Sequence, residues 1–401
     1  MDYKFVHFGC WNNLNKENHV ERVVQKIKKR KLNFMVVAGD NYYPNKFVSE
    51  SKKVKIINKE KLIRGFKILP KDVEINMILG NHDLETNVSQ SEPDLFIEDK
   101  DKTNREKDCF ILETEKEEAK ENKKINFKIW DKKVLGSTLI LMIDTSMYAD
   151  EKNVEEYMPC YQKYFKDITK EALLSNQQTF IVESIKNHPS KLTDLIIIGH
   201  HPIIAVKSKA SKKKKDKDSK KSTTEENKLH VLDDIPHFHK VLKDIKTAVD
   251  IKNTNNASTM YHYLCADLHL YQEGVVTIDG MEIHQYIVGT GGADLDDEIP
   301  PEAINKKYEN GDIAYSLIKT QRNFGYLECE NKSSKWNFKF VSVEEQGTPE
   351  TKTVDEGSRK SKSKPKRKRY TKKIILQKID TVKMSPTPYH NRIFNHGVHL
   401  P

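Results

Sequence analysis

The chain predicts an α/β protein built on a parallel sheet, with polar side chains gathered at the carboxyl ends of its strands. Three observations lead to this class. Residues 33–38, 73–79 and 195–198 are largely apolar runs of strand length. Each meets a glycine, Gly39, Gly80 or Gly199, and the next residue is Asp40, Asn81 or His200. Between an opening strand at residues 3–9 and the run at 33–38, Val20, Val23, Val24 and Ile27 recur at helical spacing. That strand–helix–strand unit predicts parallel pairing and a right-handed crossover, and open α/β sheets bind ligands beyond the carboxyl ends of their strands.

Taken in order, the first strand ends at Gly9-Cys10-Trp11-Asn12-Asn13, and residues 17–30 form a helix whose basic end suits a helix C-terminus. Residues 46–72 alternate lysine with apolar residues and predict helix plus loop. Residues 85–123 are highly charged and lack a clear period, which predicts an excursion outside the core. Residues 135–144 predict one buried strand ending in a carboxylate, and residues 177–188 a helix. Residues 195–202 close on Gly199-His200-His201-Pro202. Residues 207–228 contain almost no apolar side chains and predict a Lys-rich disordered insert. The fold resumes with a helix near 233–246, a strand at 261–265 and the loop Ala266-Asp267-Leu268-His269. The segments 274–279, 282–288, 312–319, 324–330 and 335–343 are β-rich. One domain at 1–345 and a basic, largely disordered tail at 346–401 follow from this pattern.

With 401 residues, 36% hydrophobic and 32% charged, the chain can bury a sizeable core while leaving some of its length unpacked. The net charge of +10 is concentrated in lysine runs, which ordinarily mark solvated segments. No apolar run reaches the ~18 residues of a membrane span. The start, Met1-Asp2-Tyr3-Lys4-Phe5-Val6, enters a strand without a secretory pattern, and five scattered cysteines suit a reducing compartment. The expected location is therefore intracellular, cytoplasmic or nuclear.

The strand ends supply Cys10, then Asp40 with Tyr43, then Asn81 with His82 and Asp83, then His200 with His201, and finally Asp267 with His269. Carboxylates, an amide oxygen and several imidazoles at one sheet edge suit divalent or trivalent ions, and one bridging carboxylate would create a two-metal hydrolytic site. Gly289-Thr290-Gly291-Gly292-Ala293 lacks the lysine and helix of a phosphate-binding P-loop and reads as a tight turn.

In series, Gly39-Asp40-Asn41-Tyr42-Tyr43, Gly80-Asn81-His82-Asp83 and Gly199-His200-His201-Pro202 resemble the motifs of the calcineurin-like metallophosphoesterase superfamily. Tyr43 points to its purple acid phosphatase branch in the small single-domain form, over roughly residues 3–345. The resemblance implies a four-layer α-β-β-α sandwich of two packed mixed sheets, with the metal site at strand carboxyl ends. It also implies two ions of iron, zinc or manganese. Asp40 would bridge them, Tyr43 and His269 would hold the first, and Asn81 and His200 the second. His82, oriented by Asp83, would contact the phosphate and protonate the leaving group, and His201 would face the substrate.

Two positions depart from the family pattern. Cys10 stands where the family has an aspartate ligand of the first ion, and Asp267 where it has a histidine ligand of the second. The extra carboxylate favours a harder ion, whereas a thiol must deprotonate to bind and draws the first site toward zinc or toward weak occupancy. The implied function is hydrolysis of phosphomonoesters by a metal-bound hydroxide. Two alternatives stand beside it: a degenerate member acting as a binding module, and a phosphodiesterase or nuclease on the same fold. The expected partner is a phosphorylated substrate, with weak nucleic-acid or anionic contact through the basic insert and tail.

Overall fold

The computed structural model describes residues 2–13, 19–48, 53–85, 88–89, 109–208, 228–254 and 258–343. The body of the Lys-rich insert and the basic tail lie outside these residues.

Two mixed sheets form the interior. The first runs, edge to edge, Lys335–Ser342, Gly325–Lys332, Tyr3–Phe8, Phe34–Ala38, Glu74–Ile78 and Ile125–Phe127. Its Tyr3–Phe8, Phe34–Ala38 and Glu74–Ile78 strands are parallel, as the strand–helix–strand pattern predicts. The second sheet has eight strands, and Thr138–Met142, Asp194–Ile198, Met260–Cys265 and Met281–Val288 are its parallel centre.

Side-chain alternation decides which face of the second sheet meets which layer. Ile140, Met142, Ile196, Ile198 and Leu264 pack into the core shared with the first sheet and with the helices His19–Lys28 and Lys59–Ile68. Their neighbours Leu139, Leu141, Leu195, Ile197 and Tyr263 pack against Glu151–Tyr164, Lys170–Lys186 and Ile235–Lys252. The result is a four-layer α-β-β-α sandwich. Among the described residues no helix is long and apolar enough to cross a membrane.

Four local expectations change. Residues 46–72 hold the strands Asn45–Val48 and Lys53–Ile57 before the helix Lys59–Ile68. The excursion at 85–123 contains the helix Phe110–Glu121, which buries Ile111, Leu112, Glu115 and Ala119. Residues 135–144 are the end of one strand, Asp131–Leu135, a turn at Gly136 with φ of 62°, and a second strand, Thr138–Met142. Finally, Cys109 and Cys160 form a disulfide, their Cα atoms 5.4 Å apart although 51 residues separate them.

This pairing arises because Cys109 caps the helix Phe110–Glu121 and Cys160 lies in Glu151–Tyr164, two helices that both pack beside Leu84. It removes the scattered cysteines as support for a reducing compartment. Thiol titration of the denatured, unreduced protein should find three groups per chain, those of Cys10, Cys265 and Cys329. Finding five would contradict the pairing.

Candidate metal centre

Parallel strands of the two sheets end on one side and bring together five loops, those of Cys10, Asp40, Asn81, His200 and Asp267. Cys10 N donates to Gly39 O at 3.1 Å, Trp11 N to Asp40 O at 3.3 Å and Ala266 N to His200 O at 2.8 Å. Glycine is required where the Asp40 and Asn81 loops touch, since a Cβ on Gly80 would lie 2.4 Å from Asp40 N. The turn at Gly289–Ala293 seals the other side: Gly291 N donates to Gly9 O and Ala293 N to Cys10 O.

Three of the sequence-selected residues adopt left-handed backbone: Cys10 at φ 53°, Asp40 at 51° and Asp267 at 58°. For non-glycine residues this conformation costs roughly 1–3 kcal/mol each and concentrates at functional sites. Three such residues at the converging strand ends of the two sheets mark a place where side-chain direction outweighs backbone comfort.

The two oxygens of the buried Asp40 divide the site. Around Oδ2, the Tyr43 hydroxyl lies at 2.8 Å and Cys10 Sγ at 3.8 Å, and the Tyr43 hydroxyl is itself 2.9 Å from His269 Nε2. Around Oδ1, His200 Nε2 lies at 3.3 Å, and that nitrogen is 3.1 Å from Asn81 Oδ1 and 4.0 Å from Asp267 Oδ1. All seven residues selected from the sequence as candidate ligands are therefore gathered about one carboxylate.

Both key imidazoles are held from behind. His200 Nδ1 is 2.7 Å from Ala38 O and His269 Nδ1 is 2.6 Å from Asp294 O, which leaves each Nε2 facing the Asp40 cluster. That is how proteins orient histidines that ligate metal. Two donor groups, Cys10 with Asp40 and His200, and His200 with His201 and Asp267, each have their donor atoms within 4.8 Å of one another. The arrangement thus fits ions of the zinc, manganese or iron type.

The electrostatics follow from burial opposed by charge. Burial would raise Asp40, but the positive charges of His200 and His82 hold it well below the usual carboxylate range. Burial would lower His200, yet Asp40 beside it raises it to about 9. Burial, then the His200 charge, lowers His201 to about 4. Burial and then Asp40 push the Cys10 thiol well up, so in the absence of a cation it is a neutral S–H. Asp267 lies below the usual range because, against burial, His230 hydrogen-bonds it and His201 and His200 attract it.

The neighbour of His82 differs from the sequence expectation. Asp83 accepts hydrogen bonds from Gly80 N, Asn41 N and Asn41 Nδ2 at 2.7, 2.7 and 2.9 Å, so it ties two loops together. The carboxylate beside the His82 ring is Glu85, whose Oε1 is 3.1 Å from Nδ1. The other ring nitrogen, Nε2, sits 4.0 Å from Asp40 Oδ2.

Thr145, Glu85 and His230 are further site residues that sequence spacing did not single out. Thr145 Oγ1 accepts from His200 N at 3.0 Å and His201 N at 2.9 Å, and lies 3.0 Å from His201 Nδ1. Its own loop is pinned by Gln177, which exchanges two hydrogen bonds with the Asp144 backbone. Thr145→Val keeps the shape but strands two N–H groups, and should cost about 1–3 kcal/mol in chemical denaturation. Thr145→Ser, which retains the hydroxyl, should behave like the wild type. Equal losses in both variants would refute the hydrogen-bonding role.

Beside the Oδ1 half opens a polar cleft of about 140 Å³, walled by Asn81, Asn153, Tyr157, His201, His230 and Asp267.

The sequence profile described as calcineurin-like phosphoesterase matches residues 3–232. No curated protein matches the chain. Among solved structures, GAP50, described as the anchor in the inner membrane complex of Plasmodium, is 13% identical with a TM-score of 0.43, over 85% of each chain. PhoD is 15% identical with a TM-score of 0.49, over 86% of this chain and 67% of its own. The purple acid phosphatase PPD1 from yellow lupin (Lupinus luteus) seeds is 11% identical with a TM-score of 0.45 over 86% of this chain. The present chain spans 52% of the lupin protein's length.

Proposed function

Because the chain belongs to the calcineurin-like phosphoesterase family, we propose that it is a hydrolase of phosphomonoesters working at a two-ion centre divided by Asp40. The observation that carries this is the partition of donors between the two Asp40 oxygens, with the imidazoles braced from behind. Cys10, Asp40, Tyr43 and His269 would hold one ion, and Asp40, Asn81, His200 and Asp267 the other. The Tyr43 hydroxyl, between Asp40 and His269, favours the purple acid branch of the family.

When bound, the ions supply Lewis acidity at the phosphoryl oxygens and acidify water. The remaining work falls to side chains. The cleft beside Asn81 and His201 receives the ester. His82 carries a proton on Nε2 toward the departing oxygen, while Glu85, 3.1 Å from Nδ1, holds the ring. Asp83, through Asn41 and Gly80, fixes the distance between the loops that bear Asp40 and His82.

Side-by-side turnover of p-nitrophenyl phosphate, bis(p-nitrophenyl) phosphate and single-stranded DNA tests the substrate class. The monoester should be preferred by about tenfold or more, the scale of a small difference in transition-state contacts. Preference for the diester or the DNA, with the salt dependence expected of phosphate contacts, would assign the site to phosphodiester cleavage instead.

A further inference from the structure

We propose that His230 is a positioning residue that makes Asp267 usable as a metal donor. The inference rests on the two-ion reading above and concerns how this chain completes the second ion's shell.

Asp267 holds its backbone in the left-handed region, but its carboxyl sits on the wall of a cleft with a fifth of the side chain exposed. A carboxyl rotates freely about its last bond and water competes for both oxygens. His230 removes that freedom. Its Nε2 lies 3.0 Å from Asp267 Oδ2 and donates to it, which leaves Oδ1 turned toward His200 Nε2 at 4.0 Å. Carboxylates that ligate metals are commonly held by such an outer partner, and its loss weakens metal binding about 10–100-fold.

The backbone around His230 is rigid enough for this task. Its strand, Lys228–Val231, pairs antiparallel with Ile204–Lys207, which directly follows the His200-His201-Pro202 loop, and Ala205 is opposite His230. Leu232 N donates to Ile203 O at 3.2 Å and Ile203 N to the buried Gln285 side chain at 2.9 Å. One antiparallel strand pair therefore carries His200 at the root of its first strand and His230 on its second. An ordinary exposed ion pair would contribute little, and that bland alternative predicts no effect on the ions.

Binding of Mn²⁺ to chelator-stripped full-length protein, followed by loss of the free-ion electron paramagnetic resonance signal, separates these cases. His230→Ala should weaken one of two ions about 10–100-fold and leave the other unchanged. His230→Gln, whose amide N–H reaches the same oxygen, should remain within about threefold of wild type if the hydrogen bond is the role. Wild-type affinity for both ions in His230→Ala overturns the inference, as does a Gln variant as weak as the Ala variant. A wild type that binds fewer than two ions overturns the two-ion reading and this inference together. Two ions in the wild type with an indifferent His230→Ala overturns the inference alone.

Discussion

Asp40→Asn should remove both ions from the protein and lower turnover by at least 10²–10³-fold, the scale of a lost electrostatic stabiliser. Each Asp40 oxygen serves a different half of the centre, with Tyr43 and Cys10 on Oδ2 and His200 on Oδ1. An amide of the same shape keeps one acceptor and presents an N–H to the other half, so the carboxylate charge that the two halves share is lost. His200 also loses the carboxylate that raises it to about 9. The fold should survive, because the surrounding loops are tied by backbone contacts and by Asp83 rather than by Asp40 alone. Elemental analysis and circular dichroism on the same sample check this. Two retained ions in a folded Asp40→Asn protein would remove Asp40 from its bridging place.

His82→Ala should lower kcat about 10²–10⁴-fold, the usual worth of a general acid, with metal content unchanged. The two effects should separate because His82 hydrogen-bonds Asp40 through its backbone N–H, at 3.1 Å, which alanine keeps, while its ring stands 4.0 Å from Asp40 Oδ2. The loss should also depend on the leaving group. A nitrophenolate departs with little help from a proton, whereas an alkoxide needs one, so the defect should be several-fold larger on an alkyl phosphate. Equal defects on both substrates, or loss of metal, would place His82 in binding rather than in proton delivery.

How far the site is legible in the sequence depends on the kind of contact. Donors at the ends of apolar runs announce themselves, because a strand, a glycine and a polar residue occupy adjacent positions; Cys10, Asp40, Asn81 and His200 are of this kind. Outer partners carry no such mark. Thr145 follows an ordinary strand, Glu85 stands in a charged run, and His230 lies beyond the Lys-rich segment. Each reaches the centre through tertiary hydrogen bonds that no periodicity encodes. Asp83 misleads for the complementary reason, since adjacency to His82 in sequence puts it on the other side of a tight helical turn.

The same contrast holds for the fold. The parallel strands are visible as apolar runs, but Phe110–Glu121 hides its buried stripe among charges and buries even Glu115. Glu151–Tyr164 hides behind Pro159 within the helix. The Cys109–Cys160 bond joins those same two helices, so missing them meant missing it.

On the proposed function, this sandwich is a two-ion phosphoesterase whose first site contains a thiol. Metal content of wild-type protein purified without chelators, measured beside Cys10→Asp with p-nitrophenyl phosphate turnover on both, tests it most directly. Two ions per wild-type chain together with turnover are the predicted result, with Cys10 as a thiolate donor that burial keeps neutral until a cation arrives. Zero or one ion and no turnover in the wild type, both restored by Cys10→Asp, would contradict it and assign the chain to a family member that kept the fold without the chemistry.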